Sequence, residues 1–213
     1  MRTVDPAKHR ARRRHIVNAA TELFAAQGFE RTTTAEICKA AGMSAGNLFH
    51  YFRSKRAIFH AVFVDDEPEG GVATKSERLA AACAADDPWA ALLDTVDLLA
   101  GPAAEPLVPA LVMEAMIQAH RDPELEALLS RDNDEERSTF TTLLRKASAS
   151  GQIDPTLDPD DTAAWVMALI AALYTSAATE PSFSPAGQLP TLRLILHRFL
   201  RPHATPVPEG PRP

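Results

Sequence analysis

Along most of the chain the apolar residues recur at spacings of three and four, the mark of helices that bury one face. From Arg12 to Gln27 the residues Ile16, Ala19, Ala20, Leu23 and Phe24 keep this spacing, and Gly28 is placed to end the helix. No run alternates apolar and polar residues at period two with β-branched enrichment, so strands are not expected. Capping residues divide the pattern. Thr33 or Thr34 precedes a short helix carrying Ile37 and Ala41 and closed by Gly42; Ser44 precedes one through Tyr51; Ser54 precedes one from Lys55, with Ile58, Phe59, Val62 and Phe63 on its buried side. Later segments at about 74–85, 88–100, 107–121, 123–150, 159–179 and 188–201 are separated by Pro, Gly and Asp clusters. An all-α fold is expected.

With 213 residues there is room for a small helical domain followed by a larger one. The charge divides the same way. Residues 1–60 hold 11 Lys and Arg against 4 Asp and Glu, whereas the rest of the chain hold 11 against 24, so a net +7 is followed by a net −13. The basic part is the candidate for nucleic acid. Asp65 to Gly71, with Pro68, Gly70 and Gly71, reads as a linker, giving domains at 1–64 and 65–201 and a Pro-rich disordered tail at 202–213. Cys38 and Cys83 lie in apolar helical sequence, and the basic start lacks the apolar core of a signal peptide, so a reduced, cytoplasmic protein is expected. The longest apolar run, Ala163 to Tyr174, is shorter than the roughly 20 residues of a membrane-spanning helix, and no membrane partner is expected.

Thr34 to Phe52 has the layout of a helix-turn-helix, whose second helix enters the major groove. Cys38 and Ala41 are small enough for two helices to cross closely, Gly42 suits a tight turn, and Ile37, Leu48 and Phe52 form an inner face. Ala45, Gly46, Asn47, His50 and Tyr51 are left toward the outer side, with Asn47 the amide able to read a base edge. Thr34 with Ala35, Ser44 and Lys55 stand at three helix starts, where hydroxyls, unpaired backbone N–H groups and positive charge hold phosphates. Lys8, Arg10, Arg12, Arg13 and Arg14 form either a DNA-contacting arm or a solvated basic face.

These residues resemble the tetracycline-repressor (TetR) family of bacterial regulators over about residues 10–64. The likeness is carried by Ile16 to Phe29, by Thr33, Thr34 and Ile37, and by the run Ala41 to Lys55. It implies a homodimer with an N-terminal three-helix helix-turn-helix domain that binds operator DNA. It also implies a larger C-terminal helical domain that takes a small-molecule effector and dimerises through its last two long helices. Two departures stand out. Phe49 replaces the family's usual Tyr and removes a hydroxyl, and Pro68, Gly70 and Gly71 come early, where the family's connecting helix usually runs on further.

Gly42 to Gly46 also matches the G-x-S-x-G elbow of serine hydrolases, but that motif needs a buried strand before it, and helix precedes it here. An enzyme is therefore not expected. The seven histidines are scattered without metal-ligand spacing, and neither a metal nor another cofactor is expected. The helix from Pro159 is apolar nearly all round, so a second burying surface is required. Trp165, Ala168, Leu169, Ala172 and Leu173, with Leu192, Ile195, Leu196 and Phe199, are the expected dimer interface. For the effector, Trp89, Leu93, Met113, Met116, Ile117, Phe140, Leu144 and Met167 are flexible or aromatic lining candidates, and His120 either joins them or ends its helix. So few charges among them point to a largely apolar effector. A sequence-independent DNA-coating protein and a carrier using the C-terminal pocket are the alternatives.

Overall fold

Ten helices, joined by turns and one 3-10 segment, account for the described residues 6–64 and 72–201 of the computed structural model. They are α1 (Pro6–Arg31), α2 (Thr34–Ala40), α3 (Ala45–Tyr51), α4 (Lys55–Val62), α5 (Lys75–Cys83), α6 (Pro88–Ala100), α7 (Val108–Ala119), α8 (Pro123–Ala149), α9 (Pro159–Thr179) and α10 (Pro185–Leu200). No strand occurs among the described residues. The expected linker at 65–71 and tail at 202–213 lie outside them.

The caps expected from sequence set the helix starts. Thr33 and Glu36 form a reciprocal capping box on α2, Ser44 accepts from the Asn47 N–H on α3, Ser54 from Ala57 on α4, and Asp158 from Asp160 and Asp161 on α9. Two starts fall earlier than the sequence spacing gives. The first helix begins at Pro6, so Arg10 to Arg14 form helix and not an extended arm; α10 begins at Pro185, where Ser184 caps it, and runs on through Pro190. Gly28 interrupts α1 with φ 80°, a backbone conformation that favours glycine, and a Cβ there would crowd a Glu114 carboxylate oxygen at 3.1 Å.

Two cores form. Phe24, Ile37, Leu48, Phe52, Ile58 and Phe59 close the N-terminal module, and Leu111 and Ala115 of α7 and Leu125 of α8 complete the same cluster. Fully burying each such large side chain contributes about 1.5–3 kcal/mol, so this module depends on the helices of the larger part for its own packing. The second core fills the space among α6, α8, α9 and α10 around Leu92, Val96, Phe140, Leu144, Val166 and Leu196. The 21-residue α9 is long and apolar enough to match a membrane span by length and composition, contrary to the shorter run read from sequence. Ala163, Val166, Ile170 and Leu173 are, however, spent inside this protein core.

Candidate nucleic-acid interface and effector cavity

The outer face of α3 is a surface of short side chains. Ser44, Ala45, Gly46, Asn47 and His50 are exposed, as is Ala35 on α2, while Thr34 is half-buried at the first position of α2. Leu48 and Phe52 hold the helix from below and Cys38 and Ala41 let α2 cross it closely, with Gly42 at φ 62° in the turn. The basic first turns of α1 brace this helix: Arg13 donates to the Tyr51 carbonyl at 3.1 Å and lies 4.2 Å over the Phe52 ring. The His15 imidazole is 3.0 Å from the Ala41 carbonyl, and the His9 and Tyr51 rings pack at 4.9 Å. Tyr51 is therefore half-buried and shared between α1 and α3. Phe49 is 49% exposed on the same helix.

Lys55, expected at a phosphate, is engaged within the chain. Its ammonium donates to the carbonyls of Phe29 at 2.6 Å and Glu30 at 3.3 Å, and it sits 4.2 Å over the Phe29 ring. A cation at the carbonyl end of a helix satisfies groups that the helix itself leaves unpaired.

Two polar joints tie the N-terminal module to the rest. Glu114 of α7 accepts from the Phe29 backbone N–H and from Gln118, both at 2.9 Å. Asp122, in the turn before α8, receives two 2.6 Å bonds from Arg56 and lies 2.7 Å from the His60 imidazole, and it also caps α8 through Glu124 and Leu125. The Arg56 hydrogen bonds, with those from His60 and Leu125, hold the Asp122 carboxyl well below the usual carboxylate range in spite of its partial burial. His120 is the C-cap of α7 and takes the second of its two readings.

On the opposite side of α7 from these joints lies a cavity of about 610 Å³ enclosed by α6 to α9 and the start of α5. Met113, Met116 and Met167 line it, with Leu98, Val112 and Tyr174. The other expected lining residues sit elsewhere. Phe140 and Leu144 are fully buried in the second core, Leu93 packs on its edge, and Trp89 stacks near His197 and Arg201. Ile117 faces the crevice between α1 and α7. The sparse charge read from sequence does not hold either, since Lys75, Asp132, Glu136 and Arg137 all line the cavity. Lys75 bonds Asp132 at 2.8 Å and Glu136 at 3.1 Å, and Tyr174 donates to the Leu99 carbonyl at 2.6 Å.

A third surface is apolar. Trp165 is 64% exposed and Ile195 and Phe199 are nearly half exposed, with Ala168 and Ala172 exposed beside them and Leu169 half-buried. Leu194 on α10 is also exposed. Leu173, Leu192 and Leu196 of the expected interface are buried within the subunit's own core, because they fall on the inward side of the helical period.

Comparison with known proteins decides the lineage. Residues 16–62 match the bacterial regulatory proteins of the tetR family, and residues 91–201 match the C-terminal domain of BetI-type transcriptional repressors. The chain belongs to the TetR family. The HTH-type transcriptional regulator UidR of Escherichia coli is 28% identical over 146 residues, 68% of this chain and 71% of its own. Among solved structures, Salmonella enterica GusR is 25% identical with a TM-score of 0.59, covering 89% of this chain and 95% of that one. A Saccharomonospora viridis protein solved in complex with choline has the same fold, with a TM-score of 0.74 at 20% identity over 90% of this chain and 98% of that one. TetR-family regulators are non-enzymatic proteins that bind operator DNA, act as dimers and bind small-molecule ligands.

Sequence reasoning on this TetR chain missed Glu114, Asp122 and the Lys75 cluster. Only the cap role of Asp122 before Pro123 had a local signal; the others depend on pairing between distant helices.

Proposed function

We propose that this TetR-family regulator is a homodimeric repressor that binds a palindromic operator through α3 and releases it when a small, mostly apolar effector fills the cavity. The observation that carries the reading is the double use of α7. One side presents Val112, Met113 and Met116 to the cavity; another holds Glu114, steadied by Gln118, on the Phe29 N–H at the end of α1, and the turn beyond the helix places Asp122 on α4. A ligand that shifts α7 must shift the attachment of the DNA-reading module, because cores and ion pairs settle into discrete arrangements and do not deform smoothly. Affinities for DNA and effector are then reciprocally linked.

In this reading Asn47 reads a base edge, Ala45 and Gly46 permit close approach, and Thr34, Ala35, Ser44, His50 and Tyr51 make or border the backbone contacts. Lys55 braces the module. The exposed apolar face of α9 and α10 pairs with its copy, which sets two α3 helices for successive major grooves. The working division follows the expected boundary at 64/65, with effector binding and dimerisation assigned to 65–201. Selection of bound duplexes from random DNA at moderate salt tests the reading. A recovered palindrome with one half-site per α3 is expected; absence of any preferred sequence would overturn it.

A further inference from the structure

The cavity is apolar except where α5, α8 and α9 meet, and there its charges do not balance. A single ammonium, Lys75, faces two carboxylates, Asp132 and Glu136, that lie one helical turn apart on α8. Each carboxylate gives one oxygen to Lys75, and among the described residues the second oxygen of each receives no hydrogen bond. Glu135 adds a third negative charge nearby and is bonded to the Ser76 hydroxyl. Arg137 also lines the cavity, but it is exposed at the rim. Among the described residues Lys75 is the one cation within bonding distance of the two carboxylates, so by geometry one positive charge serves two negative ones. Burial, with smaller contributions from Asp132 and Glu135, raises the Glu136 carboxyl above its ordinary value in spite of Lys75. Tyr174 stands beside this cluster and donates its proton to the Leu99 carbonyl, which leaves the phenol oxygen as an acceptor and the ring as a π-surface. Acceptors, surplus negative charge and an aromatic ring in a mostly apolar chamber form one kind of recognition site.

We infer that the effector is an amphipathic cation: an amine on an apolar body, its ammonium received by Asp132 and Glu136 beside Tyr174 and its body lying along Met113, Met116 and Met167. This deepens the reading of the cavity as the effector site and rests on it. An anionic head would face two carboxylates with the lysine already engaged, and a neutral head would leave the surplus charge uncompensated. The ammonium competes with Lys75 for the same oxygens, so binding loosens the tie between α5 and α8 as it fills the space against α7.

Three probes with one apolar body and different heads, 4-phenylbutylamine, 4-phenylbutanol and 4-phenylbutyrate, test this by calorimetry on the full chain. The amine is expected to bind at least about tenfold more tightly than either other compound. Glu136→Gln should remove about tenfold of that preference while leaving alcohol binding unchanged, and Lys75→Met should increase amine affinity, because the ligand's ammonium then replaces the lost one. Thermal unfolding of both variants checks that each remains folded. Equal or tighter binding of the butyrate, an equal loss for all three probes in Glu136→Gln, or no binding by any of them would overturn the assignment. Amine-selective binding that leaves the protein on its selected duplex would uphold the ligand class and instead overturn release as its consequence.

Discussion

Two faces of this molecule are exposed for opposite reasons. On α3 the outward residues are small or polar, Ala45, Gly46, Asn47 and His50, with Phe49 the one exposed large apolar side chain, whereas on α9 and α10 they include the large apolar Trp165, Ile195 and Phe199. Exposed alanine and glycine on a helix cost little in water and allow a polyanion to approach the backbone. An exposed cluster of tryptophan, isoleucine and phenylalanine is costly in water and calls for a covering surface. Exposure alone therefore does not distinguish a reading surface from an assembly surface; side-chain size and polarity do.

The largest expected effect breaks the second face. Trp165→Asp together with Phe199→Asp should give a monomer by sedimentation and reduce operator affinity by about a hundredfold or more, since two linked half-site contacts become one. Both residues are outside the subunit core, so the monomer should keep its helical circular dichroism. A variant that retains dimer mass would remove this face from the interface.

Next in size is the first face. Asn47→Ala should cost about 1–3 kcal/mol of discrimination at one base pair in each half-site. Competition binding on single-substituted operators reads this directly. An equal loss on every sequence would mean that Asn47 positions the helix and does not read.

Between the two faces runs the Asp122 joint, and there the substitution has to separate two roles. Asparagine caps a helix as well as aspartate does, so Asp122→Asn keeps the start of α8 and removes the charge that Arg56 and His60 share. Effector-induced loss of operator affinity should shrink several-fold, about 1 kcal/mol of coupling, while effector binding itself changes little. The sign of the pH effect follows from the lowered carboxyl. Its contribution to stability is complete above the ordinary aspartate range and disappears as pH falls through the depressed value, so below about pH 4 the native protein should lose stability more steeply than Asp122→Asn. Parallel acid profiles would place the joint outside the stability balance.

What could be read from the sequence follows the reach of the interactions. Thr33 with Glu36, Ser44, Ser54 and Asp158 act within four residues, and their spacing states their role. The α3 surface was legible for the same reason: helical period divides Leu48 and Phe52 from Asn47 and His50 without knowledge of any partner. Met113, Met116 and Met167 were found as flexible apolar residues, but Phe140 and Leu144 have the same local appearance and differ only in what packs over them. Lys75 meets Asp132 and Glu136 across a long stretch of chain, and nothing in the residues around Lys75 indicates those partners. The inner half of the expected interface, Leu173, Leu192 and Leu196, was over-read because an apolar helix does not reveal which of its faces a neighbour in the same subunit will take.

Lys55 gives the smallest expected effect and the finest test of this division between local and distant signals. A lysine at a helix start beside a DNA-reading module reads as a phosphate contact, but the ammonium is turned onto the Phe29 and Glu30 carbonyls. Lys55→Met keeps the apolar stem over the Phe29 ring and removes the donors. As a brace, the lysine should cost about 1 kcal/mol of stability in chemical unfolding when it is lost. The salt dependence of operator binding should then be unchanged. As a phosphate contact, its loss should lower that salt slope by about one unit and leave stability alone. The structure supports the first outcome: two of the three ammonium protons are already committed inside the module, and turning them to a phosphate would leave the carbonyls at the end of α1 without their cation.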